Sequence, residues 1–134
     1  MNRYRCGDVV VAEDRGAAGH KQKGRRYWLI VSNNIGNTHA PIYNAVPFTT
    51  RKKNSQPTHV KFLAGEGGLP KDSTLLCELE TPIEKEDCIQ RVGNISPLKM
   101  IEVAKAMAVA KPVVFLAFSA GFQDTDIFKK VSMA

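Results

Sequence analysis

The alternation of apolar and polar positions divides the 134-residue chain into two regimes. Up to residue 95 the apolar runs are short, rich in β-branched residues and punctuated by Gly, Pro, Asn and Asp, which is the pattern of strands and turns. "DVVVA" (8–12) predicts a first strand, and "RYWLIVS" (26–32) a second that is apolar enough to be buried on both faces. "IYNAVPFTT" (42–50) predicts a third. Pro47 within it implies an edge or a bulge, because proline offers no N–H to a ladder. "THVKFL" (58–63) alternates as a fourth strand should, and "STLLCELETP" (73–82) and "CIQRVGNI" (88–95) predict a fifth and a sixth. The stretches 13–24, 33–41, 51–57 and 64–72 read as loops and turns.

From residue 96 the period becomes helical. "SPLKMIEVAKAMAVAK" (96–111) has Ser96 to cap it and Pro97 at its first position. Leu98, Ile101, Ala104, Met107 and Ala108 line one side, the face expected to meet the core, and Pro112 ends the helix. Many short strands and one late helix predict a mostly β fold, a small, strongly twisted barrel with a helix packed on it. The length predicts one domain over residues 1–111, with 112–134 as a C-terminal extension packed on the same domain. The longest apolar stretch, "PVVFLAFSAGF" (112–122), is too short to span a bilayer. The N-terminus lacks the apolar core of a secretory signal, and three cysteines without metal-ligand spacing fit a reducing cytoplasm.

Charge sharpens this picture. The net charge is +6, and residues 1–61 carry eleven Lys/Arg against three Asp/Glu. A basic half on a globular chain is the electrostatic footprint of nucleic-acid binding. A solvated surface gives the same composition, so charge alone leaves both open.

Among candidate chemistries, "GEGG" (65–68) lacks the Lys-Ser/Thr of a phosphate loop. His20, His39 and His59 are scattered, so neither a metal nor a cofactor is expected. The acidic run Glu78, Glu80, Glu84, Glu86, Asp87 reads as a solvated face, with strand alternation placing Glu78 and Glu80 together. Cys77, in an apolar strand, reads as core. Arg26 stands where the long basic loop enters the second strand, and Thr49, with Thr50, where the third strand leaves for its own basic loop. If these strands are antiparallel neighbours, a guanidinium and a hydroxyl meet. That pair suits a phosphodiester: the fork matches two phosphate oxygens and keeps its charge, and the hydroxyl adds a donor. An ordinary surface hydrogen bond has the same ingredients.

The order and spacing of "CGDVVVAEDRGAAGHKQKGRRYWLIVSNNIGN", "APIYNAVPFTT", "PTHVKF", "GLPKDSTLLCELETPIEKE" and "VGNISPLKMIEVAKAMAVA" resemble the MazF/PemK family of toxin endoribonucleases over about residues 5–110. The resemblance implies an SH3-like small barrel of the CcdB/MazF type with a C-terminal helix, acting as a homodimer. It implies metal-independent, sequence-specific cleavage of single-stranded RNA, in which the 2′-hydroxyl attacks the phosphate to leave 2′,3′-cyclic phosphate and 5′-hydroxyl ends. The family's catalytic arginine and threonine fall on Arg26 and Thr49. The loop before the second strand becomes a lid on the RNA, with Lys21, Gln22, Lys23 and Arg25 as RNA contacts and His20 as a candidate proton shuttle. Asn33, Thr50, Arg51, Lys52 and Glu78 complete the expected RNA-binding set, and an acidic, partly disordered antitoxin is the expected partner. The chain departs from the family pattern at Cys6, Tyr27, Leu79 and Thr81, the last two bearing on which bases are read. Two other readings stand beside this one: a non-enzymatic gyrase poison on the same barrel, resembling CcdB, and a barrel that binds RNA without cutting it.

Overall fold

Arg26 and Thr49 owe their placement to one antiparallel sheet in the computed structural model, which describes residues 4–14, 24–119 and 130. The strands are β1 (Asp8–Asp14), β2 (Gly24–Ile30), β3 (Ile42–Thr49), β4 (His59–Phe62), β5 (Ser73–Leu76), β6 (Thr81–Glu84) and β7 (Cys88–Asn94). A short helix α1 (Asn34–His39) joins β2 to β3, and α2 (Pro97–Ala110) and α3 (Pro112–Ser119) follow the sheet. The strand order is β4-β5-β3-β2-β1-β7, with β6 also paired to β3. The sheet does not close among the described residues, yet it curls in the manner expected of a small barrel, and the mostly β architecture with a C-terminal helix agrees with the sequence reading.

Both faces of the central strands are buried, which accounts for the uninterrupted apolar runs of β1 and β2. On one face Val9, Leu29, Val46, Phe48, Val60, Phe62 and Leu75 pack against Val103 and Ala106 of α2. Phe48 and Phe62 meet edge to face at 5.2 Å. On the other face Val10, Ala12, Trp28, Ile30, Tyr43, Ala45, Ile83 and Cys88 form a second cluster. Each large side chain removed from water this way contributes about 1.5–3 kcal/mol.

Four sequence expectations are corrected. The segment 33–41, read as turn, contains α1. Asn33 caps it by accepting from Gly36 N at 2.8 Å. Buried Asn37 donates to the Ser32 carbonyl at 2.8 Å and accepts from the Ser32 hydroxyl. Polar residues that signal a loop on paper thus form a satisfied network that locks the helix.

Pro47 lies neither at an edge nor in a bulge. It is fully buried and pairs with Trp28 of β2. On its other side β3 changes neighbours: Ile42–Ala45 pair with β6, and Phe48–Thr49 pair with β5. The missing N–H falls in the gap between these two partners. The expected fifth strand is likewise divided, by a 3-10 turn at Cys77–Leu79 that separates β5 from β6.

The fourth correction concerns α2. Ser96 caps it, accepting from Lys99 N at 3.2 Å, and Pro97 opens it as expected. The face turned inward is Val103 and Ala106, flanked by Met107, while Leu98 is 77% and Ile101 53% exposed. The helix is apolar on most sides, so spacing alone does not select a face. The choice is made by Lys99, whose Nζ lies 4.8 Å from the Phe62 ring and 3.7 Å from Glu66.

The "GEGG" turn serves packing. Gly68 has φ +80°, and a Cβ there would lie 2.1 Å from the Val92 carbonyl oxygen. Both the left-handed backbone and the close approach demand glycine. Gly68→Ala should therefore cost about 3 kcal/mol or more in urea unfolding, and a loss below about 1 kcal/mol would contradict this close approach.

Candidate active site

β1 and β2 form a hairpin-like pair in which Ala12 faces Arg26, and β2 pairs with β3 from Trp28↔Pro47 to Ile30↔Ala45. Continuing that register by two residues sets Arg26 opposite Thr49. Residues opposite each other in an antiparallel pair project on the same face. The guanidinium bears this out: Arg26 Nη2 donates to the Phe48 carbonyl at 3.3 Å, beside Thr49. The sequence-level premise that the start of one strand lies against the end of the other therefore holds.

Among the described residues, three groups surround the Arg26 guanidinium. Besides Phe48 O, the Asp14 carboxylate lies 3.4 Å from Nη1. The Trp28 ring, two residues along the same strand, has its centroid 5.6 Å from Cζ, within cation–π range. These contacts occupy two of the five N–H groups. The Thr49 oxygen accepts from Arg51 N at 3.2 Å, so its O–H remains a donor.

The row continues across the sheet. Thr49 pairs with Thr74 of β5, and Thr74 with Lys61 of β4. Arg26, Thr49, Thr74 and Lys61 thus share one face over four strands. Thr50, Arg51 and Lys52 are exposed and leave this end of β3 directly.

The other sequence candidates are distributed as follows. His20, Lys21, Gln22 and Lys23 lie outside the described residues. Arg25 alternates to the opposite face from Arg26 and pairs with Glu13 at 3.5 Å, largely exposed. Asn33 sits at the far end of β2 as the cap of α1. Glu78 follows β5 in the 3-10 turn, and its Oε2 lies 3.0 Å from Nε2 of His59. His59 is two residues before Lys61, roughly 7 Å along the strand, and alternation puts it on the Arg26–Thr49 face. Glu80, expected beside Glu78, instead bonds Lys111 Nζ at 2.6 Å, because the turn abolishes strand alternation there.

Asp14, His59 and Trp28 are the neighbours that the sequence reading did not assign to the site. The signal for Asp14 was present: alternation along β1 places it on the same face as Ala12, the partner of Arg26.

Nucleophilic cysteine chemistry finds no support. Burial pushes the Cys77 thiol up to about 12 and the Cys88 thiol up to about 11, which keeps both protonated. Among the described residues no three His, Cys, Asp or Glu side chains gather as a metal site, and no helix is long and apolar enough to cross a membrane.

Comparison with known proteins adds a family. Residues 5–110 match the model of the PemK-like, MazF-like toxins of type II toxin–antitoxin systems. Endoribonuclease MazF of Staphylococcus saprophyticus is 32% identical over 107 residues, covering 79% of this chain and 89% of that protein. Endoribonuclease EndoA of Bacillus subtilis is 30% identical over 105 residues, covering 78% and 90%. Among solved structures, an endoribonuclease in complex with its cognate antitoxin from a mycobacterial species superposes with a TM-score of 0.67. It is 27% identical, with 80% of this chain and 93% of that one covered.

The Glu78 carboxyl carries a testable shift. Burial opposes its ionisation, but the hydrogen bond to His59, aided by its own backbone N–H and the Thr58 hydroxyl, outweighs burial and holds it below the usual glutamate range. A carboxyl depressed in the folded state stabilises the fold above its unfolded value of about 4.3. That contribution disappears as pH falls through the lower folded value. In a carboxyl NMR titration, Glu78 should turn over below about 4.3 in the wild type and move upward in His59→Leu. An unmoved midpoint in the variant would remove His59 as the cause.

Proposed function

On the footing that the chain belongs to the PemK-like, MazF-like toxins of type II toxin–antitoxin systems, we propose how it acts as an RNA-cleaving endoribonuclease. The single observation that carries the mechanism is the meeting of Arg26 and Thr49 across β2 and β3, with the Arg26 guanidinium on the Phe48 carbonyl.

The RNA 2′-oxygen attacks the adjacent phosphorus. The new 2′-O–P bond forms as the P–O5′ bond breaks, leaving a 2′,3′-cyclic phosphate and a 5′-hydroxyl. The 2′-OH proton passes to a base, and the departing 5′-oxygen takes one up. In this reading Arg26 and the Thr49 hydroxyl are the catalytic pair. They donate to the non-bridging oxygens, whose charge grows toward the pentacoordinate transition state. Arginine cannot lose its proton, so its part is charge stabilisation, supplied without a metal. His20 is assigned the proton transfer and Lys21, Gln22 and Lys23 the grip on the RNA backbone, as expected of the loop between β1 and β2.

Thr50, Arg51 and Lys52 extend the phosphate track from the end of β3, and Arg25 and Asn33 are assigned to flanking nucleotides. Glu78, held ionised by His59, is an acceptor suited to base edges. The basic N-terminal half fits two polyanions in turn: the RNA and an acidic antitoxin that silences the toxin. The chain acts as a cytoplasmic homodimer, and the extension beyond residue 111, which is described only through α3 and at residue 130, is assigned to the same domain.

The deciding experiment is cleavage of a long single-stranded RNA in EDTA, wild type beside Arg26→Ala, with mapping of the new ends. The expected outcome is discrete cuts bearing cyclic phosphate and 5′-hydroxyl, slowed about 10²–10³-fold or more in the variant. Wild-type-like cutting by a folded Arg26→Ala protein sinks the mechanism. A second measurement uses a 2′-deoxy substrate that binds without being cut. The five cations assigned to the RNA backbone (Arg26, Lys21, Lys23, Arg51 and Lys52) predict a log–log slope of affinity against salt of about −3.5 on a single strand, and a slope near zero excludes the phosphate track.

A further inference from the structure

Asp14 ends the described part of β1 directly beside the candidate catalytic arginine. Its partner in the register is Gly24, and Ala12, two residues earlier, faces Arg26. Alternation therefore brings Asp14 and Arg26 to one face along a diagonal of the ladder. The contact is sheltered: the Asp14 side chain is 13% exposed and Arg26 29%. The neighbouring cross-strand pair, Arg25 with Glu13, projects on the opposite face and is 68% and 48% exposed. Screening by water makes that outer pair nearly neutral for geometry, whereas the inner pair constrains its arginine.

A guanidinium at the end of a long side chain must be held before it can meet a phosphate in one orientation. Among the described residues Arg26 has three restraints, and they differ in kind. The Phe48 carbonyl fixes Nη2, the Trp28 ring supports the plane, and Asp14 fixes Nη1 with a full charge.

We propose that Asp14 is a positioning residue for RNA cleavage. It holds the edge of the Arg26 guanidinium so that the remaining N–H groups face the Thr49 hydroxyl. This inference rests on the reading of Arg26 as catalytic. Asp14 need not touch RNA. Its negative charge near a polyanion opposes ground-state binding, so it serves orientation at some cost in attraction. That opposition gives a signature that a merely structural carboxylate lacks.

The test is single-turnover cleavage of a single-stranded RNA by wild type, Asp14→Asn, Asp14→Glu and Arg26→Ala. Asp14→Asn is also made in an Arg26→Lys background, and melting temperatures are recorded throughout. Asp14→Asn should lower the maximal rate about 10–10²-fold, leave RNA binding unchanged or tighter, and melt like wild type. Asp14→Glu should recover part of the rate. In the Arg26→Lys background, where the fork is already lost, Asp14→Asn should add less than about twofold. A wild-type rate in Asp14→Asn, with Arg26→Ala inactive, overturns the positioning role and leaves the Arg26 mechanism standing. An equal loss in both arginine backgrounds, or one that follows the melting temperature, also overturns it. Equal cutting by wild type and Arg26→Ala overturns the underlying mechanism, and the inference falls with it.

Discussion

The register between β2 and β3 is the constraint on which the candidate site depends. A slip of one residue would send Arg26 and Thr49 to opposite faces, since side chains alternate with a period of two. What prevents the slip is burial. Leu29 and Val46 belong to the core under α2, while Trp28, Ile30 and Ala45 belong to the cluster on the reverse face. A shifted strand would mismatch both cores at once. Because both faces are filled, the geometry of the candidate site is tied to the stability of the whole sheet.

Charge is then placed where this scaffold allows it. The inner row carries Arg26, Thr49, Thr74 and Lys61; Arg26 is matched by Asp14 and a ring, while Lys61 stands exposed to water. Glu78 stands exposed at the rim and is matched by a histidine whose side chain is nearly buried. Exposed pairs such as Arg25–Glu13 leave their side chains mobile in water, whereas these inner contacts fix direction.

How legible this was from the sequence depended on the kind of signal. The strand runs around "DVVVA", "YWLIV" and "THVKF" were plain, because β-branched residues between turn formers have few other solutions. The approach of Arg26 and Thr49 was conditional on β2 and β3 being antiparallel neighbours, and their register supplies that condition. Three features were hidden by tertiary context. The network of Ser32, Asn33 and Asn37 turns loop-forming residues into a capped helix. The 3-10 turn at Cys77–Leu79 interrupts an apolar run that reads as one strand. The inward face of α2 is set by Lys99 against Phe62 and Glu66, a contact between residues far apart in the chain. Asp14 was passed over because residues 13–24 read as a loop, where a side chain has no assigned face until the register is known.

The change of neighbours at Pro47 gives β3 two successive partners on one side. The half ending in Thr49 leans on β5, and the half beginning at Ile42 leans on β6, with no ladder bond joining the two on that side. The turn between β5 and β6, where Glu78 and Leu79 lie, joins these two partners and touches β3 itself, so a change of its length bears on both ends of the strand. The imino acid that looked like a flaw in a strand is the point at which β3 changes partners on one side while its other side stays on β2.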